Sequence, residues 1–144
     1  MDIRNKVHSL CKKHRTRDPY ELADALDVVL VIAPLSRAVR GFYQLSNRIQ
    51  IIYINSNLPE EIRRIVLAHE IGHAVLHRSV NTFFMDHHTF LITDRYETEA
   101  NRFAADLLIT DEDVESYREL TVDQLKLVTG LDEDAIRYRF QPKP

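Results

Sequence analysis

The chain has 144 residues, 44% of them hydrophobic and 28% charged, which is long enough to bury a core and too apolar for a disordered segment. Its 19 basic residues against 22 acidic ones give a formal charge of −3, and this argues against a protein that holds nucleic acid by overall positive charge, a local basic patch apart. The single cysteine, Cys11, cannot close an internal disulfide, and no apolar run is long enough for a signal peptide or a membrane span. A single domain over residues 1–144 in a reducing, cytoplasmic setting, away from membranes, is the expectation.

Residues 2–14 place Ile3, Val7, Leu10 and Cys11 at helical spacing. In RTRDPYELADALDV, Asp18 reads as a helix cap, with Pro19 at the first helical position and Glu21 three residues after the cap. These N-terminal helices should occupy residues 1–27. VVLVIAP follows as a short strand stopped by Pro34, and Phe42–Leu45 with Ile49–Ile54 reads as a hairpin turning at Ser46-Asn47-Arg48.

A helix is expected from about Pro59 to His77, opened by Glu60 and Glu61. SVNTFFMDHHTFLI is too aromatic for a solvated linker and reads as an irregular segment near that helix. A helix returns at Asp94 and carries Ala100, Phe103, Ala104, Leu107 and Leu108 on its apolar stripe. Core residues 28–109 thus give way to C-terminal helices over 110–140. Thr110 caps the first, Thr121 with Gln124 forms a capping box for the second, Gly130 ends it, and Asp132 caps the third. The expected class is α+β, a small antiparallel sheet packed among helices with a C-terminal helical pair.

Chemistry is concentrated in AHEIGHAVLH at 68–77. Residues four apart on a helix lie about 40° past a full turn and about 6 Å along the axis, so His69 and His73 can aim their imidazoles at one point. Zinc accepts two such nitrogens, and Glu70, rotated about 100° from His69, can lie beside the metal as general base for a bound water. Gly72 between the two histidines costs about 1 kcal/mol of helix propensity relative to alanine, which suggests that something passes close to the backbone there. His77 lies roughly 12 Å up the axis from His69. It is out of reach of a shared ion and is expected at the helix end or in packing behind the site.

The third protein ligand must then come from elsewhere, and DRYETEANRFAADLLI offers Glu97, Glu99 and Asp106. Glu97 stands three residues after Asp94, so a capping box accounts for it. Glu99 shares a stripe with Phe103 and Leu107, which points its carboxylate inward, where a cation would be a partner. Glu99 is therefore the expected third ligand, with Glu97 second and Asp106 behind the site or exposed.

With its preceding strand-and-helix segment RIQIIYINSNLPEEIRRIVL and the following ETEANRFAADLLI, this motif resembles the ImmA/IrrE group of metallopeptidases. The resemblance is strong over residues 38 to 109 and looser at the helical ends. It implies a zincin-like core binding one zinc ion, with manganese possible, through His69, His73 and Glu99, and Glu70 as catalytic base. The family's usual proline after the LLI-type stretch is replaced by Thr110. Short members of the group are typically encoded by phages and integrative elements and look like anti-repressors, so the resemblance implies an endopeptidase that cuts a helix-turn-helix repressor.

In zincins an extended substrate typically docks as an added strand, and Ile49–Ile54 is either that docking strand or an internal one with both edges covered. Tyr96, His87, His88 and Tyr117 are open candidates for an oxyanion stabiliser. The competing reading is a non-proteolytic repressor-binding or DNA-binding module, because TVDQLKLVTGLDEDAIRYRF has helix-turn-helix spacing. Its second helix, however, opens on acidic residues that would repel phosphate, so direct nucleic-acid binding is not expected.

Overall fold

A computed structural model describes residues 2–82 and 90–141, the first four of the latter span as backbone only. Helices α1 (Ile3–His14) and α2 (Pro19–Ala25) open the chain, followed by strands β1 (Val29–Ala33), β2 (Gly41–Ser46) and β3 (Ile49–Asn55). Helices α3 (Glu60–Leu76), α4 (Phe90–Leu108), α5 (Asp111–Ser116), α6 (Val122–Thr129) and α7 (Glu133–Phe140) complete it. The architecture is α+β, as expected.

Local chemistry explains most boundaries. Asp18 accepts the Glu21 amide hydrogen with Pro19 beside it in the first turn of α2. Thr110 and Thr121 each close a reciprocal capping box, with Asp113 and Gln124 respectively. Thr110, where the family usually has proline, thus starts α5 by capping it. Gly130 ends α6 in the left-handed region at φ 75°, and Asp132 caps α7 through the Ala135 amide. Between β2 and β3, Asn47 and Arg48 both take positive φ, 50° and 67°, the pattern of a two-residue type I′ turn that matches strand twist.

The sheet departs from the expected antiparallel one. Its order is β1-β3-β2, with β2 antiparallel and β1 parallel to β3. β1 reaches its place by way of the 34–40 connection rather than a hairpin. β3 is therefore the central strand, paired on both sides, and Ile49–Ile54 cannot accept an added strand. On the outer edge of β2, the Tyr43 and Leu45 amides already donate to Thr82 Oγ1 (2.7 Å) and Asn81 Oδ1 (2.8 Å).

α3 packs with one side on β2 and β3 and the other on α4. The main core gathers Tyr43, Ile52, Ile54, Leu67, Ile71, Phe103 and Leu107 with α1 and α2 residues such as Val7 and Leu22. A second cluster joins Ala105 of α4 and Ile109 just beyond it to Leu125, Leu131, Ala135 and Ile136, seating the C-terminal helices on the far side of α4.

α4 passes close to the α3 backbone at Gly72. A Cβ there would lie 3.0 Å from Phe103 Cβ, 3.1 Å from Ala100 Cα and 3.2 Å from the Ala100 carbonyl oxygen. Two of these three are backbone atoms, which cannot swing aside. Gly72→Ala gains about 1 kcal/mol of helix propensity but forces the helices apart, an overpacking cost of about 1–3 kcal/mol. The variant should melt below the wild type by roughly 2–4 °C in a thermal scan of the metal-free protein. An unchanged or higher melting temperature would show that the helices can separate there freely.

Candidate metal centre

α3 is continuous through the HEIGH segment, so His69, Glu70 and His73 leave it in the order the helical repeat dictates. His73 is fully buried, Glu70 is 5% exposed, and His69 opens to a groove. From α4, Glu97 projects its carboxylate between the two imidazoles. Its Oε2 lies 2.9 Å from His69 Nε2 and its Oε1 3.0 Å from His73 Nε2. The ligand-type atoms of His69, His73 and Glu97 all fall within 4.8 Å of one another.

Glu99 is not in this group. Its Oε2 faces His77 Nε2 at 3.5 Å and its Oε1 accepts from Arg95 Nε at 3.0 Å. The carboxylate does point inward, as its stripe predicts, but its partner is His77. The sequence reading set Glu97 aside because of a capping box with Asp94. No such box exists, because α4 already begins at Phe90 and Asp94 lies inside the helix. Asp106 is buried and bonded to Tyr138 (2.5 Å), away from the histidines. Tyr96 stacks on His77 with ring centroids 4.4 Å apart, Tyr117 packs in the second cluster, and His87 and His88 lie outside the described residues.

The donor set suits a divalent cation. A tetrahedral ion with ligand distances of about 2.0–2.1 Å has its donors roughly 3.3 Å apart, close to the separations on either side of Glu97. Outer contacts orient the rings: Asn101 Oδ1 is 2.7 Å from His69 Nδ1, and His77 Nδ1 is 3.1 Å from His73 Nδ1. Both Nε2 atoms are thereby left for the cluster. Asn101 was absent from the sequence reading, although the helical repeat places it one turn beyond Glu97 on the same face.

The electrostatics of the four groups are unbalanced. Burial pulls His69 down, but the Glu97 hydrogen bond and the Glu70 and Glu97 charges outweigh it and raise its pKa to about 9. Burial, then the nearby His69 charge, lowers His73 to about 4 despite Glu97, so His73 is neutral with a lone pair to give. Glu97 is held well below the ordinary carboxylate range by its two imidazole hydrogen bonds and their charges, which overcome its own desolvation. Glu70 moves the other way. Burial, with the Glu97 charge, raises it from 4.5 to about 7 against the pull of His69 and the Thr82 hydroxyl. Its Oε1 is buried and makes no hydrogen bond among the described residues.

The groove beside these groups measures about 500 Å³ and is lined by residues 38–42, Ile65, Val66, His69, Glu70, Thr82 and Glu97. It runs from the start of β2 to the histidines.

Because Glu70 binds its proton more tightly in the folded chain than in the unfolded one, its contribution to stability is complete below pH 4.5 and is lost as pH rises through about 7. In chelator-treated protein, Glu70→Gln should therefore be more stable than wild type at pH 8, by on the order of 1–3 kcal/mol, with the gap narrowing toward pH 5. Denaturant unfolding at the two pH values measures it. A gap that does not change with pH would mean that the carboxylate is not desolvated.

The family model Peptidase_M78, the IrrE N-terminal-like domain, matches residues 23–141. The "Uncharacterized immunity region protein 2" of Bacillus phage phi105 is 40% identical over 131 residues, covering 90% of this chain and 83% of the relative. "Metallopeptidase ImmA" of Bacillus subtilis (strain 168) is 34% identical over 140 residues, covering 96% of this chain and 77% of the relative. A match over most of the chain, with the two histidines and a glutamate brought together beside a buried carboxylate, makes this protein a member of the IrrE-like metallopeptidase family.

Proposed function

We propose that the protein is a zinc-dependent endopeptidase that cuts one specific protein, a helix-turn-helix repressor of a mobile genetic element, in the cytoplasm. The observation that carries the proteolytic reading is the pairing of the His69–His73–Glu97 cluster with the buried Glu70 carboxylate, whose Oε1 has no hydrogen-bond partner among the described residues, beside a groove. The metal would be held by His69 Nε2, His73 Nε2 and Glu97, with Glu97 taking the part expected of Glu99; manganese is the other cation this set could take. When bound, zinc lowers the pKa of a water and polarises the scissile carbonyl.

Glu70, with a pKa raised to about 7, is poised to take a proton from that water and pass it to the departing amine. The walls of the groove keep bulk water from its Oε1. The substrate segment would lie extended beside residues 38–42, because β3 is covered on both edges and the Tyr43 and Leu45 amides of β2 are engaged.

The substrate class rests on the relatives. One is named for a phage immunity region and the other as a metallopeptidase, a combination that suits removal of an immunity repressor. A DNA-binding role is less well supported by α7. Arg139 is buried against the Ile109 carbonyl and Asp111, Arg137 pairs with Glu133 at 2.9 Å, and the helix opens on Glu133 and Asp134. No helix among the described residues is long and apolar enough to cross a membrane.

Co-expression with a candidate helix-turn-helix repressor from the same mobile element should yield repressor fragments with the wild type and none with Glu70→Gln; cleavage that persists in the variant contradicts Glu70 as base. Metal analysis of purified variants separates the two glutamates. Glu97→Ala should lose stoichiometric zinc, whereas Glu99→Ala should keep it with weaker affinity. The reverse order would restore Glu99 as the ligand.

A further inference from the structure

His77 and Glu99 take no part in the chemistry above, yet their side chains are only 3% and 17% exposed. They form a line behind His73: His73 Nδ1 to His77 Nδ1 at 3.1 Å, His77 Nε2 to Glu99 Oε2 at 3.5 Å, and Glu99 Oε1 to Arg95 Nε at 3.0 Å. His77 is also fixed by its surroundings. Its backbone N–H donates to the His73 carbonyl at 2.8 Å, and Tyr96 covers its ring. The turn after it is tied down where Tyr43 OH donates to the Arg78 carbonyl at 2.6 Å.

Proton bookkeeping allows one arrangement along this line. A His73 that offers a lone pair at Nε2 carries its proton on Nδ1. His77 Nδ1 must then accept, which puts the His77 proton on Nε2, facing an acceptor-only carboxylate. Glu99, held by Arg95, favours that tautomer, and reversing it would set two N–H groups against each other between His73 and His77 and a lone pair against the Glu99 carboxylate.

We propose that His77, oriented by Glu99, is a positioning residue that fixes the ring and tautomer of His73 for metal binding. The inference rests on the metal-site reading of His69, His73 and Glu97 and deepens it. It also gives the two ligand imidazoles different supports: His69 meets the neutral Asn101 amide directly, while His73 is joined through His77 to a carboxylate.

The test uses the full chain and zinc alone, with affinity measured by competition against a chromophoric chelator. His77→Phe keeps the bulk of the ring and removes the acceptor; it should weaken zinc binding by roughly 10–100-fold. His77→Asn, whose Oδ1 can accept where Nδ1 does, should recover most of that loss, and Glu99→Gln should fall between. Affinity of His77→Phe within about twofold of wild type overturns the proposal, as does a His77→Asn protein as weak as His77→Phe, since that pattern means packing alone. If His77→Phe melts early, Glu99→Ala leaves His77 in place and removes its acceptor, and unchanged affinity there is equally decisive against it. A wild type that takes up no stoichiometric zinc overturns the metal reading itself and this inference with it, a result distinct from a wild type that binds while the variants match it.

Discussion

The close passage of α4 across Gly72 is the constraint on which the rest of the site depends. The two histidines of α3 can point at one place by themselves, but helix geometry gives them no third partner. That partner must come from a neighbouring backbone, and Ala100 lies close enough to Gly72 that a single added Cβ would stand 3.1 Å from its Cα. Small residues along this face of α4, Ala100 and Ala104, are fully or almost fully buried. Glu97, Glu99 and Asn101 all sit within one turn of the contact, so their reach toward α3 is set by how near the helices come. A looser crossing would leave each side chain in place along its own helix and still separate the donors.

Once the helices are that close, electrostatics decides what the cluster can be. Two imidazoles, a carboxylate between them and a second carboxylate buried beside them cannot all be satisfied by protons. Glu70 Oε1 is without a hydrogen bond among the described residues, and His69 and His73 stand at opposite extremes of affinity for a proton. Under the proposed reading a divalent cation would answer the donors together, and the groove along residues 38–42 would bring a substrate to the remaining carboxylate. Burial that destabilises Glu70 as a carboxylate also raises its affinity for a proton, so a cost in folding and the basicity proposed for it arise from the same contacts. The C-terminal helices join this arrangement at its margin, where Asn101 Nδ2 donates to Asp132, the cap of α7, at 3.4 Å.

Much of this was legible in the sequence because it is local. Caps at Asp18, Thr110, Thr121 and Asp132, the Gly130 stop and the HEIGH helix depend on residues a turn apart, and each is found where its pattern placed it. What depended on distant partners was not. The parallel pairing of β1 with β3 leaves no trace in either strand's alternation, so the sheet read as antiparallel. Glu97 and Glu99 lie two residues apart, and choosing between them required the start of α4. A start at Asp94 makes Glu97 a cap residue, and a start at Phe90 frees it. The inward stripe of Glu99 was a true signal about burial that could not name the buried partner, and that partner was His77, the residue helix geometry had removed from the first ring of ligands.

The central claim is that one ion is shared by His69, His73 and Glu97. An anomalous difference map at the zinc absorption edge, from crystals grown with equimolar zinc, tests it most directly. A single strong peak bonded to both Nε2 atoms and the Glu97 carboxylate, with Glu99 still against His77, is the predicted result. A peak bonded to Glu99 in place of Glu97, or no peak between the two histidines, would contradict it.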